Sequence, residues 1–222
     1  YEVKQQGRNN FRFFRREMTS RMLELLHLET DLRQALKREE FELFYQPQVD
    51  LVSGRVVAFE ALVRWRHPEQ GLVSPADFIP LAEETGLILP LGDWVLHEAC
   101  RQVAEWRRDP WPNMRIAVNL SAVQFQQADL AGQVRAALDH TGVDASALEL
   151  EVTESLLMQN AEATIQTLHA LRAMGVTLAI DDFGTGYSSL AYLKQFPVST
   201  LKIDRSFVWD INEDEGDAAI CA

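Results

Sequence analysis

Residues 177–182 read TLAIDD, and the pairing of a small residue with a polar one two positions later recurs in two earlier segments. Side chains two positions apart lie on one face of a β-strand, so each pair shares a face near the carboxyl end of its predicted strand. The pairs are Ala58 with Glu60, Ala117 with Asn119, and Ala179 with Asp181. Polar groups from successive strands are therefore expected to converge at one end of a sheet.

Short β-branched or aromatic segments alternate with helical periodicity from Phe41 onward. Strands are predicted near Phe41–Gln48, Val56–Trp65, Arg115–Leu120, Leu148–Thr153, Val176–Asp182 and Thr200–Asp204. Helices are predicted near Arg21–Arg38, Pro75–Glu84, Gly92–Arg107, Gln127–Thr141, Ala161–Met174 and Ser188–Gln195. This order predicts an α/β fold with βα units and a mainly parallel sheet. Convergence of polar groups from several strands favours a TIM-like (β/α)₈ barrel over a doubly wound open sheet.

Composition narrows the class of function. The 222 residues include 33 Asp and Glu against 21 Lys and Arg, which gives a formal net charge of −12. Such an acidic chain is unsuited to broad contact with DNA, RNA or an anionic membrane. Its two cysteines, Cys100 and Cys221, build no disulfide framework or zinc motif. We therefore expect a cytoplasmic domain, and a membrane anchor elsewhere in a longer parent protein stays open.

Acidic side chains dominate the converging set. Its members are Glu60, Asn119, Glu151 and Asp181, with Asp182 beside the last. Carboxylates gathered at one point repel each other unless a cation lies between them. Oxygen ligands without Cys or His favour Mg²⁺ or Mn²⁺ over zinc. Each acid taken singly could instead cap a helix or form a salt bridge.

Seven motifs occur in the order found in one bacterial family. In chain order they are YQP at 45–47, EALVRW at 60–65, FIPLAE at 78–83, VNLS at 118–121, EVTES at 151–155, DDFGTG at 181–186 and LKID at 201–204. The chain from about residue 36 to 222 thereby resembles the EAL domain family, the cyclic di-GMP phosphodiesterases. Tyr1, Lys4 and residues 7–9 resemble the end of a GGDEF domain, the diguanylate cyclase module.

The resemblance implies a role for each matching residue. Glu60, Asn119, Glu151 and Asp181 would hold one divalent ion, and Asp181 with Asp182 would hold a second. The two ions, Mg²⁺ or Mn²⁺, would activate a water for in-line attack on phosphate. The remaining assignments are Gln46, Arg64 and Asp204 for substrate binding, Lys202 for orienting the attacking water, and Glu154 for fixing the loop 182–189. Salt-bridge roles for Arg64 and Lys202 stay open alternatives.

The resemblance also implies a domain organisation. Residues 1–20 are expected to be the tail of an upstream GGDEF-like domain, 21–39 a linker helix, and 40–222 an EAL domain. Two further βα units, with a late Glu that serves as metal ligand and general base, are expected after Asp204 and are not contained in this sequence. The barrel is therefore predicted to be incomplete in this chain, which alone is expected to hydrolyse little substrate.

Three functions are compatible with these observations. The first is a metal-dependent enzyme that hydrolyses cyclic di-GMP to linear pGpG, and the intact set of ligands favours it. The second is a receptor that binds cyclic di-GMP without turnover and signals through the linker helix. An unrelated two-metal barrel hydrolase is a third reading. The resemblance leaves a homodimer open, and the sensory input is not encoded in any motif.

Overall fold

The computed structural model describes residues 16–157, 161–184, 194–209, 211 and 216. Seven strands lie in these ranges: β1 (Phe41–Val49), β2 (Val56–His67), β3 (Gly71–Val73), β4 (Arg115–Asn119), β5 (Leu148–Thr153), β6 (Thr177–Phe183) and β7 (Thr200–Ile203). The helices there are α1 (Arg16–Ala35), α2 (Pro75–Thr85), α3 (Ile88–Arg108), α4 (Ala122–Phe125), α5 (Leu130–Thr141), α6 (Glu154–Leu157), α7 (Ala161–Ala173) and α8 (Arg205–Trp209), with a 3₁₀ turn at Ala145–Ala147.

The strands form one sheet in the order β1-β2-β4-β5-β6-β7, with β3 paired to β2. Every pair from β2 through β7 along this path is parallel, which confirms the predicted βα units. The sequence did not predict the antiparallel pairing of β1 with β2, or strand β3, which pairs antiparallel with the far end of β2. The first two strands therefore form a hairpin, and the later strands along the path are joined by crossovers into parallel pairs.

Alternation along the strands divides inner from outer side chains as the sequence predicts. Ile116, Val118, Leu178 and Ile180 are all buried and belong to the apolar core that packs between the sheet and the helices. The other face carries small residues, of which Ala117 is fully buried, followed by polar groups. The sheet thus presents its apolar side to the helices and its polar residues to the opposite side.

Helix ends follow local sequence signals. Ser74 accepts a hydrogen bond from the backbone of Ala76 and caps α2, whose first residue is Pro75. Gly86 ends that helix with φ of 73°, a conformation that glycine adopts without steric cost. The predicted helix near Gly92 begins earlier, at Ile88, and the one near Gln127 begins later, at Leu130.

The predicted helix Ser188–Gln195 falls mainly outside the described residues, as do residues 1–15 of the GGDEF-like segment. The helix predicted at Arg21–Arg38 spans Arg16–Ala35. Its residues Leu32 and Ala35 are buried and pack against the core. Among the described helices, none combines the length and apolar character that a bilayer crossing requires.

The sheet must curl to bring its distant strands together. In a flat sheet β7 would lie about 19 Å from β2, since neighbouring strands are about 4.8 Å apart. The Nζ atom of Lys202 on β7 nevertheless lies 3.0 Å from an Oε atom of Glu60 on β2. Curvature of this kind is what a barrel wall requires.

Candidate active site

The carboxyl ends of the parallel strands carry the polar residues that the sequence singled out. Strand register places Glu60 opposite Ala117, Asn119 opposite Glu151, and Asp181 opposite Thr153. One carboxylate oxygen from each of Glu60, Glu151 and Asp181 lies within 4.8 Å of the other two. The predicted convergence of these acids is therefore present in the structure.

Lys202 lies at the centre of this acidic group. Its Nζ atom donates to Oε2 of Glu151 at 2.6 Å, to Oε2 of Glu60 at 3.0 Å and to Oδ2 of Asp181 at 3.3 Å. Burial opposes the charge of Lys202, but the hydrogen bond to Glu151 and the surrounding carboxylates outweigh it and raise the pKa of the ammonium above its ordinary value. The counter-ion role left open for Lys202 is thus realised in this structure.

Glu151 is the buried member of the group. Its side chain is 0% exposed, and burial raises its pKa to about 7 although the hydrogen bond and charge of Lys202 act in the opposite direction. Oε1 of Glu151 is buried and has no hydrogen-bond partner among the described residues. Such an oxygen is costly unless a cation or a donor completes it. The donor set of three carboxylates fits a hard divalent ion.

Asn119 and Gln46 lie beside Glu60. The Nδ2 atom of Asn119 donates to Oε1 of Glu60 at 2.8 Å, which leaves the amide oxygen of Asn119 able to act as a ligand. Gln46 is the cross-strand partner of Glu60 in the β1–β2 hairpin and shares its face. Both residues therefore lie next to the acidic group.

Arg64 lies on the same face of β2, four residues beyond Glu60. It forms no salt bridge with any described residue; its NH1 atom donates to the backbone oxygen of Val63 at 2.9 Å. A cavity of about 340 Å³ lies beside it, and Arg64, Asn119, Glu83 and Gln124 supply polar groups to an otherwise largely apolar wall. The salt-bridge alternative for Arg64 is therefore not found in the described part of the chain.

Asp182 lies near the end of β6, and Glu154 contacts the turn that follows this strand. Asp182 has φ of 52°, and burial together with the charges of Asp181 and Asp204 raises its pKa. Oε2 of the buried Glu154 accepts a hydrogen bond from the backbone of Gly184 at 2.8 Å. This contact reaches the start of the loop that Glu154 was expected to fix. Residues 185–189 of that loop lie outside the described residues.

The end of β7 places Asp204 in a local structural role. Its Oδ1 atom accepts hydrogen bonds from the backbone and side chain of Ser206, at the start of α8, and these bonds lower its pKa. The substrate contact expected for Asp204 stays a prediction.

Two aromatic residues near the site, Phe44 and Phe207, were not predicted from the sequence. The ring of Phe44 lies 5.4 Å from the Cζ atom of Arg64. Phe207 lies so close to Gly184 that a Cβ atom at that glycine would be 2.7 Å from the ring. Phe44 could have been noticed as the one apolar member of the alternating set Phe44, Gln46 and Gln48, whereas nothing in the sequence marks Phe207.

Comparison with known families gives a consistent match. Residues 29–222 match the model of the EAL domain. The chain is 51% identical over 220 residues to the bifunctional diguanylate cyclase/cyclic di-GMP phosphodiesterase MucR of Pseudomonas aeruginosa. That match covers 99% of this chain and 32% of MucR. The cyclic di-GMP phosphodiesterase NbdA of the same organism is 49% identical over 99% of this chain and 28% of its own length. The chain thus spans about a third of the length of these curated relatives.

Solved structures agree with the sequence matches. A structure of the PaMucR phosphodiesterase in complex with c-di-GMP superposes with a TM-score of 0.84 at 53% identity, covering 89% of this chain and 78% of that one. The FimX EAL domain of Xanthomonas citri, also in complex with c-di-GMP, gives a TM-score of 0.80 at 26% identity, covering 90% and 78%. The TIM-like barrel predicted from the sequence is therefore confirmed, and the chain belongs to the EAL domain family.

Proposed function

We propose that the protein carrying this chain hydrolyses cyclic di-GMP to linear pGpG with divalent metal ions. The observation that carries the proposal is the convergence of three carboxylates from β2, β5 and β6 around one point, with a buried Glu151 oxygen that has no partner among the described residues. Relatives named as cyclic di-GMP phosphodiesterases support the choice of substrate.

Each residue of the set has a role that its position allows. Glu60, Asn119, Glu151 and Asp181 would hold one Mg²⁺ or Mn²⁺, and Asp182 with Asp181 would take part in holding a second. Bound ions of this kind would stabilise negative charge on phosphate and lower the pKa of water, which would supply a hydroxide nucleophile near neutral pH.

The remaining groups act on substrate and water. Arg64 would bind a phosphate oxygen by paired hydrogen bonds, since no described acid engages its guanidinium. Lys202 would balance charge in the acidic group and hold the attacking water, for which it would give up one of its three hydrogen bonds to the carboxylates. Gln46 would contact the substrate from the neighbouring strand. Asp204 remains a proposed substrate contact at the end of β7.

The cavity beside Arg64 suits one guanine base. Its wall is largely apolar, which favours a flat ring, and Glu83 and Gln124 are among the lining residues that carry polar groups. The two parts of the substrate would then lie on either side of Arg64, with the phosphate toward Glu60 and the base in the cavity.

The test is release of pGpG by the natural protein that contains this chain. Purified protein is incubated with cyclic di-GMP and Mg²⁺, Mn²⁺ or EDTA, and products are separated by chromatography. We expect pGpG with either metal and none with EDTA. Tight binding of cyclic di-GMP without any pGpG would contradict the enzyme and favour the receptor. We also propose that the protein acts in the cytoplasm and forms a homodimer, and analytical ultracentrifugation tests the dimer.

A further inference from the structure

The guanidinium of Arg64 is held without any acidic partner among the described residues. Its Cζ atom lies over the ring of Phe44 at 5.4 Å from the ring centroid, within the range of a cation–π interaction. Glu42 is the cross-strand partner of Arg64, yet its carboxylate pairs with Arg66 at 2.5 Å. Arg66 therefore engages the cross-strand acid, and Arg64 forms no salt bridge within the described part of the chain.

Phe44 lies on the face of β1 that also carries the polar residues Gln46 and Gln48. Strand alternation puts Phe44 on the same face as Gln46, whereas the neighbouring rings of Phe41 and Tyr45 pack against the core aromatics Trp65 and Trp106. Phe44 is 42% exposed. Leu62 stands opposite Phe44 across the β1–β2 pair, and the charged group against the ring is the Arg64 guanidinium.

We propose that Phe44 is a positioning residue that orients Arg64 for the phosphodiester of the substrate. This inference rests on the proposed function. The side chain of an arginine has many rotamers, and holding it in one before binding reduces the entropy lost when substrate arrives. A carboxylate could also hold it, but substrate would then have to displace that carboxylate. The face of a ring orients the guanidinium and leaves its full charge and its outward N–H groups for phosphate.

The test is a double-mutant cycle on the natural protein that contains this chain, with KM and kcat measured for cyclic di-GMP. The variants are Phe44→Leu, Arg64→Ala and the double variant, and Phe44→Trp tests whether any aromatic ring suffices. We expect Phe44→Leu to raise KM about three- to tenfold with kcat changed less than twofold, and Phe44→Trp to retain the wild-type KM. In the Arg64→Ala background, Phe44→Leu should cause no further change.

A matched control separates positioning from packing. Trp111 is 45% exposed and contacts Phe59 and Trp106 away from Arg64, so Trp111→Leu should leave KM unchanged. Thermal midpoints of all variants are recorded, and that of Phe44→Leu should lie within about 4 °C of the wild type, because the ring is partly exposed and the cation–π contact that it loses is weak at such a site.

The outcomes are distinct. An unchanged KM in Phe44→Leu, with a wild-type protein that turns over cyclic di-GMP, overturns this inference and leaves the proposed function intact. An equal rise of KM with and without Arg64 also overturns it, because the ring would then act on substrate directly. A wild-type protein with no binding and no turnover removes the proposed function and this inference together.

Discussion

Replacing Lys202 with Met keeps most of the side-chain volume and removes an ammonium that lies within 3.3 Å of three carboxylates. Removing one partner of a buried ion pair costs about 3–5 kcal/mol. Lys202 is 23% exposed, Glu60 and Asp181 are 17% and 21% exposed, and Glu151 can take up a proton. We therefore expect a loss of about 2–3 kcal/mol, which corresponds to roughly 4–12 °C in Tm for a domain of this size.

The assay is thermal unfolding followed by circular dichroism at pH 8, in EDTA and in saturating Mg²⁺ or Mn²⁺. A divalent ion would occupy the position between the carboxylates that the ammonium holds in this structure, so metal should raise the Tm of Lys202→Met by more than it raises that of the wild type. Lys194→Met is the matched control, because Lys194 is exposed and has no role in this group.

Two results would refute this reasoning. A Lys202→Met protein as stable as the wild type in EDTA would show that the three carboxylates do not depend on the ammonium. An equal stabilisation of both proteins by metal would show that the ion binds somewhere other than between these carboxylates.

Three further predictions concern single residues. Glu60→Ala should abolish metal-dependent turnover, since it removes a charged ligand that the other acids cannot replace; unchanged turnover at saturating substrate would contradict the metal assignment. Gly184→Ala should weaken Mn²⁺ binding about tenfold by calorimetry, because φ is 100° and a Cβ would meet the Phe207 ring; Gly54→Ala, with φ of 68° and open space, should leave that affinity unchanged. Burial raises the pKa of the Cys100 thiol to about 12, so iodoacetamide at pH 8.5 should modify it only after unfolding, as peptide mass spectrometry would show. The folded pKa is raised, so the stabilisation from this thiol should be present below pH 9 and decline between pH 9 and about 12.

The parts of the site that lie on regular strands could be predicted from the sequence. A period of two fixes which side chains share a face, and parallel strands align their carboxyl ends, so Glu60, Asn119, Glu151 and Asp181 could be grouped without coordinates. The position of Lys202 between them depends on how far the sheet curls. Strand alternation alone does not determine how far the sheet curls, so the contacts of Lys202 could not be predicted.

Short and non-local features were missed for identifiable reasons. The helices Ala122–Phe125 and Glu154–Leu157 have four residues each, too few to show a helical period. The antiparallel β1–β2 pair has the turn Asp50–Arg55 rather than a two-residue Asn-Gly or Asp-Gly loop, so no strong hairpin signal was present. The burial of Glu151, and the lack of a described hydrogen-bond partner for its Oε1 atom, follow from the packing of several elements and cannot be predicted from one segment.

Strand β2 is fixed near its far end as well as at the candidate site. Trp65 Nε1 donates to Glu40 at 3.0 Å, and His67 Nε2 lies 3.3 Å from Asp31 on helix α1. Between Glu60 and Arg64 the strand spans about 13 Å, set by its rise of about 3.3 Å per residue. Inserting or deleting one residue there would turn Arg64 to the opposite face. The number of residues between Glu60 and Arg64 should therefore be fixed, since any change in it would move the guanidinium away from the carboxylates.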